Sequence, residues 1–289
     1  MELTDAQIEK YERDGLLVVG GLFTGPEIAL LRDEAAVVGT PQRKTPGANV
    51  YEKKSGKIRQ AYASEQDSEA WNLAYRLPRI LEPVQQFLGE QVYLWHSRII
   101  FKLAHVGEQW QWHQDFTSWH MDGAARGGVH DMISVMVLLD DTTSENGPVR
   151  FVPGSHLEEG AQEGGVLDWH YDFETTAYPV HTTLDEHIER MSAKRPIVEC
   201  TGPAGTVVFF TAKTVHSSTD NLSSRDRRIM YLVYNRLDNM PSTMETQRPD
   251  VVTPYYLNDN RVALEMSDED AFAGLVEQRG LAARVSAAF

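Results

Sequence analysis

Apolar residues follow two different rhythms along the chain. Up to about residue 90 they recur at helical spacing, and from Val92 onward they come in short β-branched and aromatic runs. Thr4 to Gln7 fits a capping box, with Ile8 and Tyr11 on the apolar side of the helix it opens before Gly15 breaks the pattern. Leu16 to Val19 is a short apolar run, readable as a strand and closed by Gly20 and Gly21. TGPEIALLRDEAAVV places Pro26 early in a second helix, with Ile28, Leu30, Leu31 and Ala35 on its apolar side. SEAWNLAYRLPRILEPVQQFLG predicts two more short helices, ended by Gly89.

VYLWHSRIIFKLA, DMISVMVLLDD, GPVRFVPGS, GTVVFFTAK and RRIMYLVYNRL then read as strands separated by Gly, Pro, Asn and Asp turn signals. No helices alternate with them, so they predict an antiparallel sandwich or barrel rather than a doubly wound sheet. From about Leu157 to Arg195 the chain is polar, strand-poor and rich in Glu, His and Thr, an expected insertion over the barrel mouth. MSDEDAFAGLVEQRG predicts a closing helix with Ser267 and Asp270 as its capping pair. The expectation is one domain over 1–289. It has a mainly helical part over 1–90, a β core over 91–250 with the insertion at about 157–195, and an extension over 251–289.

Composition narrows the classes. A chain of 289 residues that is 42% hydrophobic and 24% charged can bury a proper core. A net charge of −15 argues against nucleic acid, an anionic membrane surface or a ligand held by a broad basic field, while allowing a local basic pocket. The single cysteine, Cys200, makes no intrachain disulfide, and its flanks PIVECTGPAG suit a buried structural thiol. The first residues are charged and lack an apolar signal core, and no apolar run approaches membrane-spanning length. A soluble cytoplasmic protein is expected, and the sequence leaves room for a homodimer.

The chemistry concentrates in WQWHQDFTSWHMDGAARGGVHD, Trp110 to Asp131. His113 and Asp115 are one residue apart at a predicted strand end, so imidazole and carboxylate converge on one point. They would supply two ligands of a facial triad. The third must be a histidine from elsewhere if the metal is iron(II) with open positions. His216, at the end of the apolar strand GTVVFFTAKTVH, is the candidate. Arg227, in SSRDRRIMYLVYN, is spaced to pair bidentately with the distal carboxylate of 2-oxoglutarate, whereas Arg225 and Arg228 suit solvent. His120 and His130 read as surface or supporting groups, and Trp112 as core.

WHQD, NGPVRFVPGSH and HSSTDNLSSRDRR, in that order, resemble the phytanoyl-CoA dioxygenase family of iron(II)/2-oxoglutarate oxygenases. The opening LTDAQIEKYERDGLLVVGGLFTGPEIALLRDE is similar to that family's helical start, and the likeness runs from about Leu3 to Arg248. Within the family, WHQDFTSWHMDG and YNRLDNMP are most similar to hydroxylases of ectoine and of free amino acids. The resemblance implies a double-stranded β-helix, a cupin-like jelly-roll barrel with N-terminal helices packed on one sheet. It implies iron(II) on His113, Asp115 and His216, O₂ as oxidant, and 2-oxoglutarate anchored by Arg227 and Ser218. Trp119 and Ser118 match pocket-lining positions, and Tyr234 matches an aromatic residue over the substrate. His96, where ectoine hydroxylases have glutamine, is expected to face either the co-substrate or a neighbouring strand, and Arg248 either to reach a substrate carboxylate or to lie exposed. Thr117 replaces an acidic residue, and Asp122 followed by GAARGGVHD replaces an acidic pair and a proline-containing turn. These departures turn the expectation from ectoine itself toward a related small zwitterion.

The expected reaction is hydroxylation of an unactivated C–H bond in a free amino acid, cyclic imino acid or ectoine-like compound, with succinate and CO₂ as co-products. Halogenating relatives lack the carboxylate ligand, so Asp115 favours hydroxylation. Other readings are a metal-dependent jelly-roll isomerase or lyase, which would need no Arg227, and a non-catalytic binding module. An oxygenase of a larger natural product or of an acyl-CoA is a further one, the latter disfavoured by the charge of −15.

Overall fold

Both N-terminal helices start on their capping boxes. In the computed structural model, which describes residues 1–41, 43–45, 48–160, 162–172, 180–242 and 261–280, Thr4 and Gln7 cap α1 (Asp5–Asp14) reciprocally. Gly15, left-handed at φ 74°, ends it and turns the chain into strand β1 (Leu16–Val19). Thr24 and Glu27 cap α2 (Gly25–Val38) in the same way. β2 (Asn49–Tyr51) and β3 (Ile58–Tyr62) follow, and then α3 (Ser64–Asp67), α4 (Glu69–Ala74) and α5 (Pro78–Leu88). The N-terminal part is therefore less helical than its periodicity implies, since three of its segments are strands. NVYEKKSGKIRQAY hides two of them because their charged side chains pair internally: Arg59 and Glu52 are both buried and lie 2.5 Å apart.

The β region supplies β4 (Val92–Lys102), β5 (Trp110–His113), helix α6 (Asp115–Met121), β6 (Met132–Leu138) and β7 (Val149–Phe151). After them come β8 (Trp169–Asp172), β9 (Val180–Thr183), helix α7 (Asp185–Ser192), β10 (Val198–Cys200), β11 (Val207–Thr211), β12 (His216–Ser218) and β13 (Arg227–Arg236). Seven strands form one sheet in the order β1-β11-β6-β13-β4-β3-β2, and four form the second in the order β10-β7-β12-β5. All their pairings are antiparallel. This is the expected double-stranded β-helix, with helices on the outer face of the large sheet.

Strand alternation sorts the core into two layers. Met230, Leu232 and Tyr234 of β13 join the cluster under the N-terminal helices, whereas Ile229, Tyr231 and Val233 face the space between the sheets. That inner space holds the site. Tyr11 of α1 stacks on Phe87 of α5 at 3.9 Å, tying the helical layer together.

Two details differ from the sequence expectation. The 157–195 insertion contains the hairpin β8–β9 and helix α7; WHYD and VHTT are too short and polar to announce themselves as strands. The closing helix α8 (Glu269–Gln278) is capped by Asp268, whose side chain accepts from the Asp270 amide, while Ser267 Oγ donates to Leu73 O at 2.8 Å. Cys200 is buried and unpaired, as expected. Among the described residues no helix is long and apolar enough to cross a membrane.

Candidate functional site

β5 ends at His113, and Gln114 keeps extended geometry (φ −108°, ψ 126°). Asp115 consequently points to the same side as His113 although it is the first residue of α6. His216 opens β12 and stands directly opposite His113 in the small sheet. Here the sequence expectation is corrected: the apolar strand stops at Thr211, and the chain crosses to the other sheet before reaching His216. The ligand atoms of the three residues lie within 4.8 Å of one another. His113 Nε2 is 3.7 Å from Asp115 Oδ1, and His216 Nε2 is 3.7 Å from Asp115 Oδ2.

Each imidazole is oriented by its other nitrogen. His113 Nδ1 donates to Gln111 O at 2.7 Å and His216 Nδ1 to Thr214 O at 2.9 Å, leaving both Nε2 lone pairs aimed at the shared point. Burial pushes His113 down to about 3 and also lowers His216, so both rings are neutral at ordinary pH. Burial alone would raise the Asp115 carboxyl, but the Arg98 guanidinium and the Tyr231 hydroxyl help hold it below its ordinary value. Two neutral imidazoles and one carboxylate, converging without a fourth ligand among the described residues, fit an iron(II) facial triad.

Beside the triad is a recess of about 380 Å³, lined among others by Trp110, Ser218, Arg227 and Arg98. Arg227 is 1% exposed and donates through Nη2 to Gly147 O at 2.5 Å. Its Nε and Nη1 are buried with no hydrogen-bond partner among the described residues. Burial pushes its guanidinium down to about 10. Lys102, missed by sequence reasoning, lies across from Arg227 in the β13–β4 register and donates to Ser218 Oγ at 2.8 Å. Burial, with Arg227 alongside, holds its ammonium well below the ordinary value. Gly147, at φ 77°, lets the turn approach this pair: a Cβ there would sit 2.4 Å from Lys102 Cδ. Arg227, with donors left over, and the Ser218 hydroxyl that Lys102 holds both line the recess, an arrangement suited to a carboxylate.

The opposite side of the triad is aromatic. Ser118 and Trp119 lie on α6, three and four residues after Asp115, and so share its helix face. Trp119 meets His96 edge-on at 6.0 Å, and Ser118 Oγ lies 2.9 Å from His181 Nδ1 on the hairpin. His96 is not among the residues lining the cationic recess; it packs between Tyr62, Trp119 and Tyr231. Tyr234 is corrected. It faces the helical layer, donates to Tyr75 O at 2.6 Å, and is away from the site because its position has the wrong strand parity. Tyr231 is the aromatic residue of that strand that faces the triad, where its hydroxyl donates to Asp115 Oδ2. Counting in twos from Arg227 would have found it. Arg248 lies outside the described residues.

Comparison with known proteins agrees with this geometry. The family model for phytanoyl-CoA dioxygenase matches residues 11–229. The chain is 32% identical over 244 residues to an L-proline trans-4-hydroxylase of Streptomyces griseoviridis, covering 83% of this chain and 89% of that protein. It is 32% identical over 240 residues to an ectoine dioxygenase of Stutzerimonas stutzeri, covering 80% and 76% respectively. A crystal structure of EctD from S. alaskensis with 2-oxoglutarate and 5-hydroxyectoine superposes with a TM-score of 0.76 at 26% identity, covering 92% of this chain and 88% of that one.

Proposed function

This chain belongs to the phytanoyl-CoA dioxygenase family, and on that premise we propose that it is a 2-oxoglutarate-dependent dioxygenase that hydroxylates a C–H bond of a small zwitterion. Free amino acids, cyclic imino acids and ectoine-like compounds are the candidate substrates. The observation that carries this reading is the adjacency of the His113, Asp115, His216 cluster to a buried arginine with unsatisfied donors. Iron(II), when bound with 2-oxoglutarate, supplies the oxidative decarboxylation to succinate and CO₂ that arms O₂ for C–H hydroxylation.

The chain's own residues do the rest. His113 and His216 offer neutral Nε2 donors and Asp115 a negative one, leaving the remaining coordination positions open. Arg227 and Ser218, the latter held by Lys102, would receive the distal carboxylate of 2-oxoglutarate, with its keto-acid end toward the triad. Trp119 and His96 wall the other side, and the β8–β9 hairpin reaches α6 through His181, helping to exclude water around the substrate. A proline hydroxylase and ectoine dioxygenases at about 30% identity support a small zwitterion over a bulky thioester.

The test is anaerobic reconstitution with iron(II) and 2-oxoglutarate, then O₂ exposure and measurement of succinate and hydroxylated product. The panel contains free amino acids, L-proline and other cyclic imino acids, and ectoine. Stoichiometric succinate and hydroxylated product from one of them supports the reading. If only an acyl-CoA or a larger natural product raised succinate above background, the small-zwitterion proposal would fail.

A further inference from the structure

We propose that Tyr231, backed by Ser134, is a positioning residue that fixes Asp115 to bind metal through one oxygen only. The inference rests on the reading of the triad as an iron site. Asp115 Oδ1 is 3.7 Å from one imidazole Nε2 and Oδ2 is 3.7 Å from the other, so the histidines do not choose between the oxygens. The hydroxyls do. Tyr231 OH donates to Oδ2, and Ser134 Oγ donates to the same oxygen at 3.3 Å. Tyr231 OH and Ser134 Oγ lie 3.1 Å apart, so the two hydroxyls and the carboxylate oxygen form one buried cluster. Both in-plane lone pairs of Oδ2 are thereby engaged. Around Oδ1 the neighbouring cation is Arg98 Nη2, at 3.9 Å and beyond hydrogen-bond reach. Oδ1 is the oxygen left to the metal.

The consequence is chemical. A carboxylate chelating through both oxygens would take a position needed by 2-oxoglutarate or O₂. Tyr231 cannot easily turn away, because its ring is held under the Arg98 guanidinium at 4.2 Å and against Phe210 edge-on at 5.9 Å. Arg98 is in turn tied to Gln60 and Tyr62 through Nη1. The hydroxyl is thus set on the carboxylate by packing on strands β4, β11 and β13.

Tyr231→Phe isolates the role, since it keeps the ring and its Arg98 contact and removes only the hydroxyl. The readouts are iron(II) affinity, measured anaerobically by competition with a chelating dye, and the ligand-field magnetic circular dichroism of the iron(II) protein with and without 2-oxoglutarate. The expected result is iron affinity weaker by about 10- to 100-fold and a changed ligand-field pattern. Ser134→Ala should shift both in the same direction by less, and it serves if Tyr231→Phe folds poorly by circular dichroism. Tyr234→Phe, on the opposite face of the strand, should leave both unchanged. Iron affinity within about threefold of wild type in both site variants, with unaltered spectra, would overturn the proposal while leaving the oxygenase reading intact. A wild-type protein that binds no iron(II) would defeat both.

Discussion

Replacing Arg227 with methionine should separate binding from stability in a way few substitutions do. The guanidinium is 1% exposed, and only Nη2 has a protein acceptor. Burial pushes it down from its ordinary value to about 10, which corresponds to roughly 3 kcal/mol against the charged form. In the ligand-free protein that cost is uncompensated, because Nε and Nη1 have no partner among the described residues. A carboxylate arriving in the recess satisfies those donors and recovers it. Arg227→Met should therefore weaken 2-oxoglutarate binding by about 3 kcal/mol, on the order of a hundredfold. The ligand-free variant should be as stable as wild type or more so, because relief of desolvation offsets the lost bond to Gly147. Lys102 should also regain basicity, since Arg227 beside it helps hold its ammonium down. The assays are anaerobic 2-oxoglutarate titration of the iron(II) protein and urea unfolding with and without co-substrate. Wild type should gain about 2.7 kcal/mol at a hundredfold excess over Kd, and the variant almost nothing at the same concentration. Unchanged 2-oxoglutarate affinity, with a ligand-free protein destabilised by more than about 3 kcal/mol, would make Arg227 a structural residue and refute the reasoning.

Tyr234→Phe should cost about 1 kcal/mol in urea unfolding, from the lost bond to Tyr75 O, with the KM for substrate unchanged. Gly147→Ala should destabilise by about 1–3 kcal/mol and raise the KM for 2-oxoglutarate, because the new Cβ would sit 2.4 Å from Lys102 Cδ and 2.7 Å from Thr219 O at φ 77°. The metal-free protein should lose stability on acidification. His113 stays neutral when folded, whereas in the unfolded chain it takes up a proton below about pH 6.5, so its contribution to stability falls by about 1.4 kcal/mol per pH unit until about pH 3. Burial of His216 acts in the same direction, and unfolding in chelator should show a shallower pH dependence for His113→Gln than for wild type.

The legible parts of the molecule are those where one periodicity decides. Capping boxes at Thr4 and Thr24, the long runs of β4, β6 and β13, and the convergence of His113 with Asp115 are all local consequences of side-chain direction. Errors arise where direction depends on a partner strand. Tyr234 and Tyr231 look equally eligible in RRIMYLVYNR, and only the parity set by Arg227 at the recess separates them. Lys102 is one lysine in an apolar run until the register places it opposite Arg227. The hairpin β8–β9 escapes notice because its inward face carries Trp169, Tyr171 and His181, which pack on one another rather than on a conventional aliphatic core.

This asymmetry bears on where specificity can change. His216 and Ser218 rest on β12, paired on both sides by β5 and β7, and β13 lies between β4 and β6, whereas His113 ends the edge strand β5. Moving Ser218 or His216 therefore disturbs two ladders at once, whereas Arg227 is paired with Lys102 in the β4 ladder. The aromatic half is built differently. Ser118 and Trp119 sit on a seven-residue helix whose start is fixed by Asp115, and the contact above them is a two-stranded hairpin. Across that boundary the joints are a Ser118–His181 hydrogen bond and the sulfur of Met121, 3.1 Å from His181 Nε2. Substitutions in 117–122 and on β9 lie off the β12 and β13 ladders, although β9 packs on β5, the strand of His113. The sequence departs from ectoine hydroxylases in this same stretch, at Thr117 and around Asp122. A change of substrate at constant chemistry is the outcome such a layout permits.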